Sequence, residues 1–424
     1  MSLLTLPQDD LMARIAGISG QNVDACYQCG RCTAACPFSF SPQRVIRHLQ
    51  LGQVDRAVSL ETVRSCASCF ACTAVCPKGI DPARIIRALR EVSSERHGPP
   101  WRGWLFANND RLARMGSRLA PVSNWMLRAP GAGLAEQFGL GIHRKRRVPR
   151  FARSTFPAWF RGRTPIGDGR RGAVLLFHDT FMDYNHPETG IAATELLELA
   201  GFRVELTDTV CCGRPMISKG FIDSAREHAR SNVERLHRRA AEGLPVVGCE
   251  PSCLLALRSE YPELLRGTDL AEKAATVARR CVLLDELLLP LARRGDLGIR
   301  FEGRGPVLFH AHCQQKAFGS PGAGLALLGL AGYDPEAVDT ACCGMAGAFG
   351  YEREHFGLSR AQGERELFPA VRAHPEARVV VTGMSCRHQI QDFTGRRVQH
   401  LAEALRDAVA EDPGQDQGPA AGRP

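Results

Sequence analysis

The sequence has no hydrophobic run long enough to cross a membrane. No stretch of its 424 residues approaches the roughly 18 consecutive apolar residues that a transmembrane helix requires. Met1 is not followed by a basic region and an apolar core, so a secretory signal peptide is not expected. These absences predict a cytoplasmic protein, with a peripheral position at the inner face of the cytoplasmic membrane as a further option.

Nucleotide and nucleic-acid signatures are also missing. No G-x-G-x-x-G motif follows a predicted strand, and the glycines at 347 and 350 lack that spacing. No helix-turn-helix, zinc-finger or RNA-binding pattern is present, so we expect no nucleic-acid partner. The formal charge of +9 does not change this expectation, because it counts all 17 cysteines as neutral and thiolate-bound metal clusters would lower it.

What the sequence does contain is two copies of the pattern C-x2-C-x2-C-x3-C-P. The copies consist of Cys26, Cys29, Cys32 and Cys36 before Pro37, and of Cys66, Cys69, Cys72 and Cys76 before Pro77. In bacterial two-cluster ferredoxins with this spacing, the first three cysteines hold one [4Fe-4S] cube and the fourth ligates the other cube. We therefore predict two [4Fe-4S] clusters, since zinc sites seldom use four cysteines so closely spaced. The predicted ligands are Cys26, Cys29, Cys32 and Cys76 for cluster 1, and Cys36, Cys66, Cys69 and Cys72 for cluster 2.

The repeat continues beyond the cysteines. Ser41-Pro42 and Asp81-Pro82 stand forty positions apart, as the two cysteine motifs do. Ser and Asp are good N-caps and proline suits the first helical position, so each motif is predicted to end in a helix. Residues 1–95 are therefore predicted to form a two-cluster ferredoxin-type domain, called the ferredoxin domain below.

Residues 96–171 have a different composition, with all four tryptophans of the chain and the basic run 143–147. We interpret this segment as a basic, aromatic linker that is solvated and wraps the domains. The alternative is a surface that touches a membrane or an acidic partner. The tail at 411–424 is rich in Gly, Pro, Gln and Ala, and is predicted to be disordered.

A second internal repeat fills the C-terminal half. Residues 172–295 and 296–410, called the first and second modules, each alternate short apolar runs with helical segments. This alternation predicts parallel sheets covered by helices. Cys211-Cys212-Gly213 matches Cys342-Cys343-Gly344, and further cysteines follow other strands of each module. Because ligands bind beyond the carboxyl ends of such strands, we expect these cysteines to converge there.

These motifs resemble known iron-sulfur proteins. The repeated Cys-Cys-Gly module resembles the cysteine-rich CCG domain of heterodisulfide reductase, and Cys26-Tyr27-Gln28-Cys29-Gly30 resembles the separate ferredoxin-type subunit of that enzyme. The fusion order is similar to iron-sulfur subunits of glycolate oxidase, lactate-utilisation and anaerobic glycerol-3-phosphate dehydrogenase systems. The resemblance covers about residues 20–95 and 170–405. It implies a helical two-cluster ferredoxin domain followed by duplicated α/β CCG domains with small parallel sheets.

The resemblance also implies metal ligands in the modules, where the family has a leading cysteine, Cys-Cys-Gly and a closing Cys-x-x-Cys. In the second module Gly383 stands where the first closing cysteine is expected. The remaining candidates for a third centre, an iron-sulfur cluster or zinc, are Cys313, Cys342, Cys343 and Cys386. The first module offers a degenerate set, in which Thr180 replaces the leading cysteine and Cys249 is one place out of register. Its candidates are Cys211, Cys212, Cys249 and Cys253, with His178 or Asp179 as a further ligand.

Histidines accompany the cysteines of the second module. His310 and His312 precede Cys313, and His388 follows Cys386. Each is a candidate ligand, proton carrier or hydrogen-bond donor to a ligand, and a packing role fits each of them at least as well. Cys281, within an apolar run, is interpreted as a buried small hydrophobic residue.

The leading functional hypothesis is an iron-sulfur electron-transfer subunit of a flavin-dependent oxidoreductase complex. It would pass electrons between a flavoprotein dehydrogenase, acting on a 2-hydroxy acid or similar substrate, and a quinone or other acceptor that can be membrane-bound. The alternative is a heterodisulfide reductase-like catalytic subunit that cleaves a disulfide at a CCG-bound cluster. A non-enzymatic adaptor with zinc in the modules is a third option. No catalytic residue is predicted; whether the chain is itself an enzyme stays open, and the favoured interpretation is that it is enzymatic as a subunit of an oxidoreductase complex.

Overall fold

The computed structural model describes residues 8–98, 101–129 and 131–410, so the tail predicted at 411–424 lies outside the described residues. The ferredoxin domain is helical throughout its described part. Its helices are α1 Gln8–Ser19, α2 Arg31–Ala34, α3 Pro42–Gln50, α4 Val54–Ser59, α5 Glu61–Ser65, α6 Ala71–Ala74 and α7 Pro82–His97. A single 3-10 turn, Val23–Ala25, precedes the first cysteine motif.

Helices α3 and α7 are the two repeats predicted after the cysteine motifs. Each begins at its proline, and the Asp81 carboxylate accepts a hydrogen bond from the backbone N–H of Arg84 at 3.1 Å. Ser41 stands at the equivalent position but makes no such side-chain bond. The apolar faces of both helices are at most 2% exposed and form the core of the domain, with Val45, Ile46, Leu49, Ile85, Ile86 and Leu89 as its central members.

The two modules have the same sheet topology. The first contains β1 Ala173–Phe177, β2 Arg203–Leu206, β3 Val246–Gly248 and β4 Cys281–Leu283, in the order β2-β1-β3-β4. The second contains β5 Pro306–His310, β6 Asp334–Ala337, β7 Arg378–Val381 and β8 Val398–His400, in the order β6-β5-β7-β8. All pairings are parallel. The predicted fold class, a helical ferredoxin-type domain followed by duplicated α/β modules, is confirmed.

Helices surround both sheets. Those of the first module are α13 Thr180–Tyr184, α14 Pro187–Leu199, α15 Arg214–Lys219, α16 Ile222–Ala241, α17 Pro251–Leu255, α18 Tyr261–Leu264, α19 Ala271–Arg280 and α20 Leu284–Arg293. Those of the second are α21 Cys313–Phe318, α22 Pro321–Leu330, α23 Phe356–Arg365, α24 Leu367–Ala373, α25 Met384–Thr394 and α26 Leu401–Asp407. A π-helical turn, Ala256–Glu260, joins α17 to α18, and a 3-10 turn spans Phe349–Tyr351.

The modules pack against each other through equivalent helices. Helix α14 contacts α26, and α20 contacts α22, so each module contributes the same two positions to the interface. One buried apolar cluster contains Leu176 and Leu196 from the first module together with Phe309 and Leu327 from the second. Because this core is shared, the two sheets are held in a fixed relation by burial of apolar surface.

Ion pairs join the ferredoxin domain to the first module. The guanidinium of Arg87, on α7, contacts the Glu263 carboxylate and lies 3.7 Å from that of Glu260. The same Glu260 carboxylate pairs with Arg214, which follows the Cys-Cys-Gly motif of the first module. Arg87, Arg214 and Glu260 are all at least nine-tenths buried, so this network fixes the domain against the module.

The linker contains helices but no sheet among its described residues. They are α8 Trp101–Ala107, α9 Asn109–Arg118, α10 Ala120–Met126, α11 Ala132–Ala135 and α12 Phe156–Gly162, with a π-helical turn at Glu136–Leu140. Ten of the sixteen large apolar side chains that are exposed in the described part of the chain lie between Trp101 and Leu140. Over the same described ranges, no helix is both long and apolar enough to cross a membrane.

One member of the basic run is not solvated. The guanidinium of Arg146 is buried, and it donates hydrogen bonds of 2.7 Å to the Gly350 carbonyl, the Ser359 hydroxyl and the Gln389 amide oxygen. It also pairs with the Asp392 carboxylate at 3.3 Å. Arg146 therefore attaches the linker to the second module.

We expect Arg146→Met to destabilise the second module by about 3 kcal/mol, because it leaves a buried carboxylate and several acceptors without their partner. Denaturant unfolding of the purified chain measures the change in the free energy of unfolding. Arg144→Met removes an exposed charge from the same run and is the matched control. Equal stability of the two variants would contradict the anchoring role of Arg146.

Candidate iron-sulfur and metal sites

The eight cysteines of the ferredoxin domain surround two separate cavities. The first cavity is lined by Cys26, Cys29, Cys32 and Cys76. The second is lined by Cys36, Cys66, Cys69 and Cys72. The structure thus brings together the same two sets of thiols that the ferredoxin rule groups, with one cysteine exchanged between the motifs.

The loops that carry these cysteines repeat an unusual backbone. Gln28 and Ser68 have φ angles of 62° and 48°, and Gly30 and Phe70 have φ angles of 79° and 63°. Positive φ is uncommon for residues with side chains and typical of sites where the surroundings enforce the conformation. Here it bends each loop around its cavity, and the Ser68 N–H points at the Cys66 sulfur from 3.4 Å.

The donor set of each cavity fits a [4Fe-4S] cluster. Four thiols face one space, and cysteine thiolate is the ligand that such clusters take. Without a metal, burial raises the pKa of Cys32 and Cys36, and it raises the pKa of Cys69 and Cys72 further. Bound iron deprotonates coordinating thiols outright and supplies the positive charge that these buried sulfurs lack.

The two cavities differ in exposure. Cys29 is exposed, and the neighbouring Tyr27 ring is 58% exposed with the Lys78 ammonium 5.8 Å from its centroid. The second cavity faces inward, where Phe38 packs against Phe349 of the second module at 4.8 Å between ring centroids. The first cavity therefore meets the surface of the chain, and the second meets the modules.

A third group of thiols lies at the carboxyl ends of the strands of the second module. Cys313 begins α21 after β5, Cys342 and Cys343 follow β6, and Cys386 lies on α25 after β7. Each thiol forms a hydrogen bond with the next, in a series that runs from Cys313 through Cys342 and Cys343 to Cys386. A hydrogen bond from the Cys342 thiol lowers the pKa of Cys313 to about 6. The structure therefore brings together all four cysteines predicted for this centre.

Gly344 makes the turn after the paired cysteines. Its φ is 96°, and a side-chain Cβ at this position would lie 2.4 Å from the Ser359 carbonyl oxygen. The Gly344 N–H also points at the Cys342 sulfur from 3.4 Å. Only glycine fits this turn without displacing α23, which gives a physical reason for the third letter of the motif.

The first module gathers three of its four predicted cysteines. The sulfurs of Cys212 and Cys253 are 3.2 Å apart, and the Cys211 thiol contacts that of Cys212. A hydrogen bond with the Cys212 thiol lowers the pKa of Cys253, but burial raises it to about 12. Cys249 instead packs in the apolar cluster shared by the two modules, apart from the cluster that contains the other three.

Neither additional ligand predicted for the first module is free. Both ring nitrogens of His178 are engaged, by the Asp183 carboxylate at 2.8 Å and the Thr207 carbonyl at 2.9 Å. The Asp179 carboxylate accepts hydrogen bonds from the first turn of α13, which begins at Thr180. Burial, reinforced by the nearby Glu250 carboxylate, raises the pKa of Asp179 to about 7. The described residues thus give this site three thiols and a carboxyl group committed to a helix cap.

Glu250 is a site residue that the sequence did not reveal. It stands three positions before Cys253, as Gly383 stands three positions before Cys386. Its carboxylate accepts a 2.7 Å hydrogen bond from the Met384 N–H, at the start of the helix that carries Cys386. It also accepts one from the Ser252 N–H at 3.1 Å. One carboxylate therefore aligns the closing cysteine of each module.

Comparison with known proteins agrees with this geometry. Residues 22–80 match the model of a 4Fe-4S dicluster domain, and residues 175–258 match that of a cysteine-rich domain. The chain is 30% identical over 319 residues to the C subunit of anaerobic glycerol-3-phosphate dehydrogenase from Escherichia coli K12, covering 74% of this chain and 78% of that protein. The chain belongs to the family of this dehydrogenase subunit. The resemblance and the iron-sulfur character predicted from the sequence are thereby confirmed.

Other relatives share parts of the arrangement found in this family. Lactate utilization protein A of Geobacillus thermodenitrificans is 28% identical over 243 residues, which cover 55% of this chain and 98% of that protein. D-2-hydroxyglutarate dehydrogenase of Escherichia coli K12 is 28% identical over 238 residues, which cover 56% of this chain but 22% of that protein. Related segments thus occur both within a larger dehydrogenase chain and as a separate, shorter protein.

We expect the exchanged cysteines to follow their cavities rather than their motifs. Cys76→Ser should remove the same cluster as Cys29→Ser, and Cys36→Ser the same cluster as Cys69→Ser, with a loss of about four irons in each case. Iron and sulfide counts combined with EPR-monitored redox titration identify the lost centre. If Cys76→Ser removed the centre that Cys69→Ser removes, the grouping by cavity would be wrong.

Proposed function

We propose that this protein is an electron-transfer subunit that carries electrons from a flavoprotein dehydrogenase to a quinone or other acceptor. It would hold two [4Fe-4S] clusters, in the two four-cysteine cavities, and a further metal centre in the second module. The observation that carries the proposal is the placement of three thiol groups in series within one chain. The absence of a nucleotide motif in the sequence supports a separate flavoprotein, and the name of the glycerol-3-phosphate dehydrogenase relative supports a dehydrogenase.

Apolar contacts connect the three thiol groups. Cys32 of the first cavity and Cys72 of the second belong to one small buried cluster with Phe70. Cys69 of the second cavity and Cys313 of the second module pack against another, which also contains Cys342. Each step therefore crosses packed protein rather than solvent, an arrangement suited to transfer between neighbouring centres.

The exposed first cavity is the proposed entry point. Around Cys29, the exposed side chains of Tyr27 and Val75 are flanked by the exposed cations of Arg31 and Lys78. An apolar centre with a basic rim fits a partner protein that presents acidic groups around its redox site. The second cavity, enclosed between the ferredoxin domain and the modules, would then relay electrons inward.

The linker supports the proposed position at the inner face of the membrane. Trp101 and Trp125 are 69% and 70% exposed, and Met115, Leu119 and Val122 are each more than half exposed. Exposed arginines are interspersed among them at 111 and 118. Tryptophan, aliphatic side chains and basic residues on short helices are typical of segments that lie in the interface of an anionic membrane. This favours the membrane-contact alternative over a purely solvated linker, and it would bring the chain near a quinone.

A heterodisulfide-cleaving role receives less support. Cys342, Cys343 and Cys386 are at most 3% exposed, and Cys313 faces the second cavity of the ferredoxin domain. A disulfide substrate would need direct access to these sulfurs. Their burial suits an electron relay better than a substrate site.

The redox role predicts reduction of the chain by its flavoprotein partner. We expect anaerobically purified protein to contain about eight irons, or about twelve with a third cube. The partner should reduce these centres rapidly in the presence of its substrate.

Reversing the charge of the basic rim with Arg31→Glu and Lys78→Glu should slow reduction at low salt at least tenfold, because charge complementarity governs association. Arg378→Glu, far from the ferredoxin domain in sequence and exposed, is the control; equal slowing by both would contradict entry at the first cavity.

Membrane association is tested separately by vesicle sedimentation. The chain should bind vesicles of phosphatidylglycerol and phosphatidylethanolamine, and bind phosphatidylcholine vesicles more weakly. Trp101→Ser with Trp125→Ser should lower binding about tenfold or more, because two interfacial aromatic anchors are lost. Leu51→Ser with Leu330→Ser changes two apolar side chains of 52% exposure outside the linker and serves as the control. Unchanged binding by the tryptophan variant would exclude this surface.

A further inference from the structure

His310 is a buried histidine whose ring nitrogens have no oxygen or nitrogen partner among the described residues. It is the last residue of β5 and only 1% exposed. One of its ring nitrogens and the sulfurs of Cys343 and Cys386 all lie within 4.8 Å of one another. The imidazole thus sits among the thiols of the second module instead of pairing with the backbone or a carboxylate.

The first module shows that the fold does not need a polar residue here. Its equivalent strand, β1, ends at Phe177, which is also 1% exposed. Phe177 pairs with Gly248 of the adjacent strand as His310 pairs with Val381. An apolar ring therefore fills the same position in the same topology. Packing alone does not require a histidine in the second module, so we look to its chemistry for an explanation.

The other end of the site explains why a sulfur is missing. A Cβ on Gly383 would lie 2.5 Å from Cδ2 of His312, so a cysteine there would have to displace the His312 ring. The His312 ring is itself held in place, since its Nδ1 accepts a hydrogen bond from the Gln314 N–H at 3.3 Å. The second module is thus built for four sulfurs, with His310 aimed at two of them.

We propose that His310 is a metal ligand of the second module, where its imidazole nitrogen replaces the sulfur that position 383 does not supply. Imidazole suits both iron and zinc, and it binds metal as the neutral ring. The set would be three or four thiolates with one nitrogen. In iron-sulfur centres, replacement of thiolate by histidine raises the reduction potential, so the centre would be poised to accept electrons from the all-cysteine clusters. This inference rests on the proposed function only in that the module holds a metal.

The test is pulsed EPR of protein labelled with ¹⁵N-histidine, together with X-ray absorption at the edge of whichever metal analysis finds. We expect a directly coordinated histidine nitrogen in the unaltered chain. His310→Phe, which copies the first module, should abolish that coupling. His310→Cys should also abolish it while retaining the metal, and should lower the midpoint potential of an iron-sulfur centre. His388→Gln is the control, because His388 is buried nearby but contacts His186 and Tyr351.

Each outcome decides the matter. Loss of the histidine nitrogen signal in both His310 variants and its retention in His388→Gln would support ligation; pulsed EPR reads that signal for an iron centre, and X-ray absorption reads it for zinc, which is diamagnetic. A shell of sulfur alone, a nitrogen signal that survives His310→Phe, or a second module without metal would overturn it. Circular dichroism identifies a variant that fails to fold, and His310→Cys then carries the test. Histidine ligation without reduction by any flavoprotein would refute the proposed function and leave this inference standing.

Discussion

A cubane cluster needs four thiolates around one small space, and neither cysteine motif of this chain supplies four to the same cavity. Three come from one repeat and the fourth from the other, Cys76 in one cavity and Cys36 in the other. The cavities therefore exist only when both repeats are folded against each other. The packing of α3 and α7 and the left-handed loop residues all serve this exchange, and metal binding is thereby coupled to folding of the domain.

The same dependence recurs between the modules. Neither module covers the apolar faces of its own helices by itself, because α14, α20, α22 and α26 of the two modules share one core. The Glu250 carboxylate extends this dependence to the candidate metal site. It lies in the first module and fixes the start of the helix that holds Cys386 of the second. A duplicated chain has thus placed a supporting residue of one copy where it orients a candidate ligand of the other.

Local patterns predicted much of this arrangement, and contacts across the chain account for what they missed. The cysteine groups, the prolines at the starts of α3 and α7 and the apolar strands β1, β3, β5 and β7 follow from spacing and composition. The edge strands were not predicted, since β2 and β6 carry polar residues and β4 and β8 are only three residues long. The burial of Arg146 depends on partners more than a hundred residues away in the chain. The placement of Cys249 depends on how the chain turns into the short helix α17. Hydrophobic periodicity gives no signal for either.

The two modules share one topology but differ in the roles of their side chains. The first has lost the leading cysteine, and its Asp179 and His178 are committed to a helix cap and to a pair with Asp183. Yet it provides Arg214, whose guanidinium donates to the Ser68 carbonyl in the loop around the second cavity at 3.1 Å. Through that contact and the Glu250 cap, the first module touches both the loop around the second cavity and the helix that holds Cys386. The first module therefore acts as the scaffold that sets the distance between the second cavity and the second module, the distance on which the proposed electron transfer between them would depend.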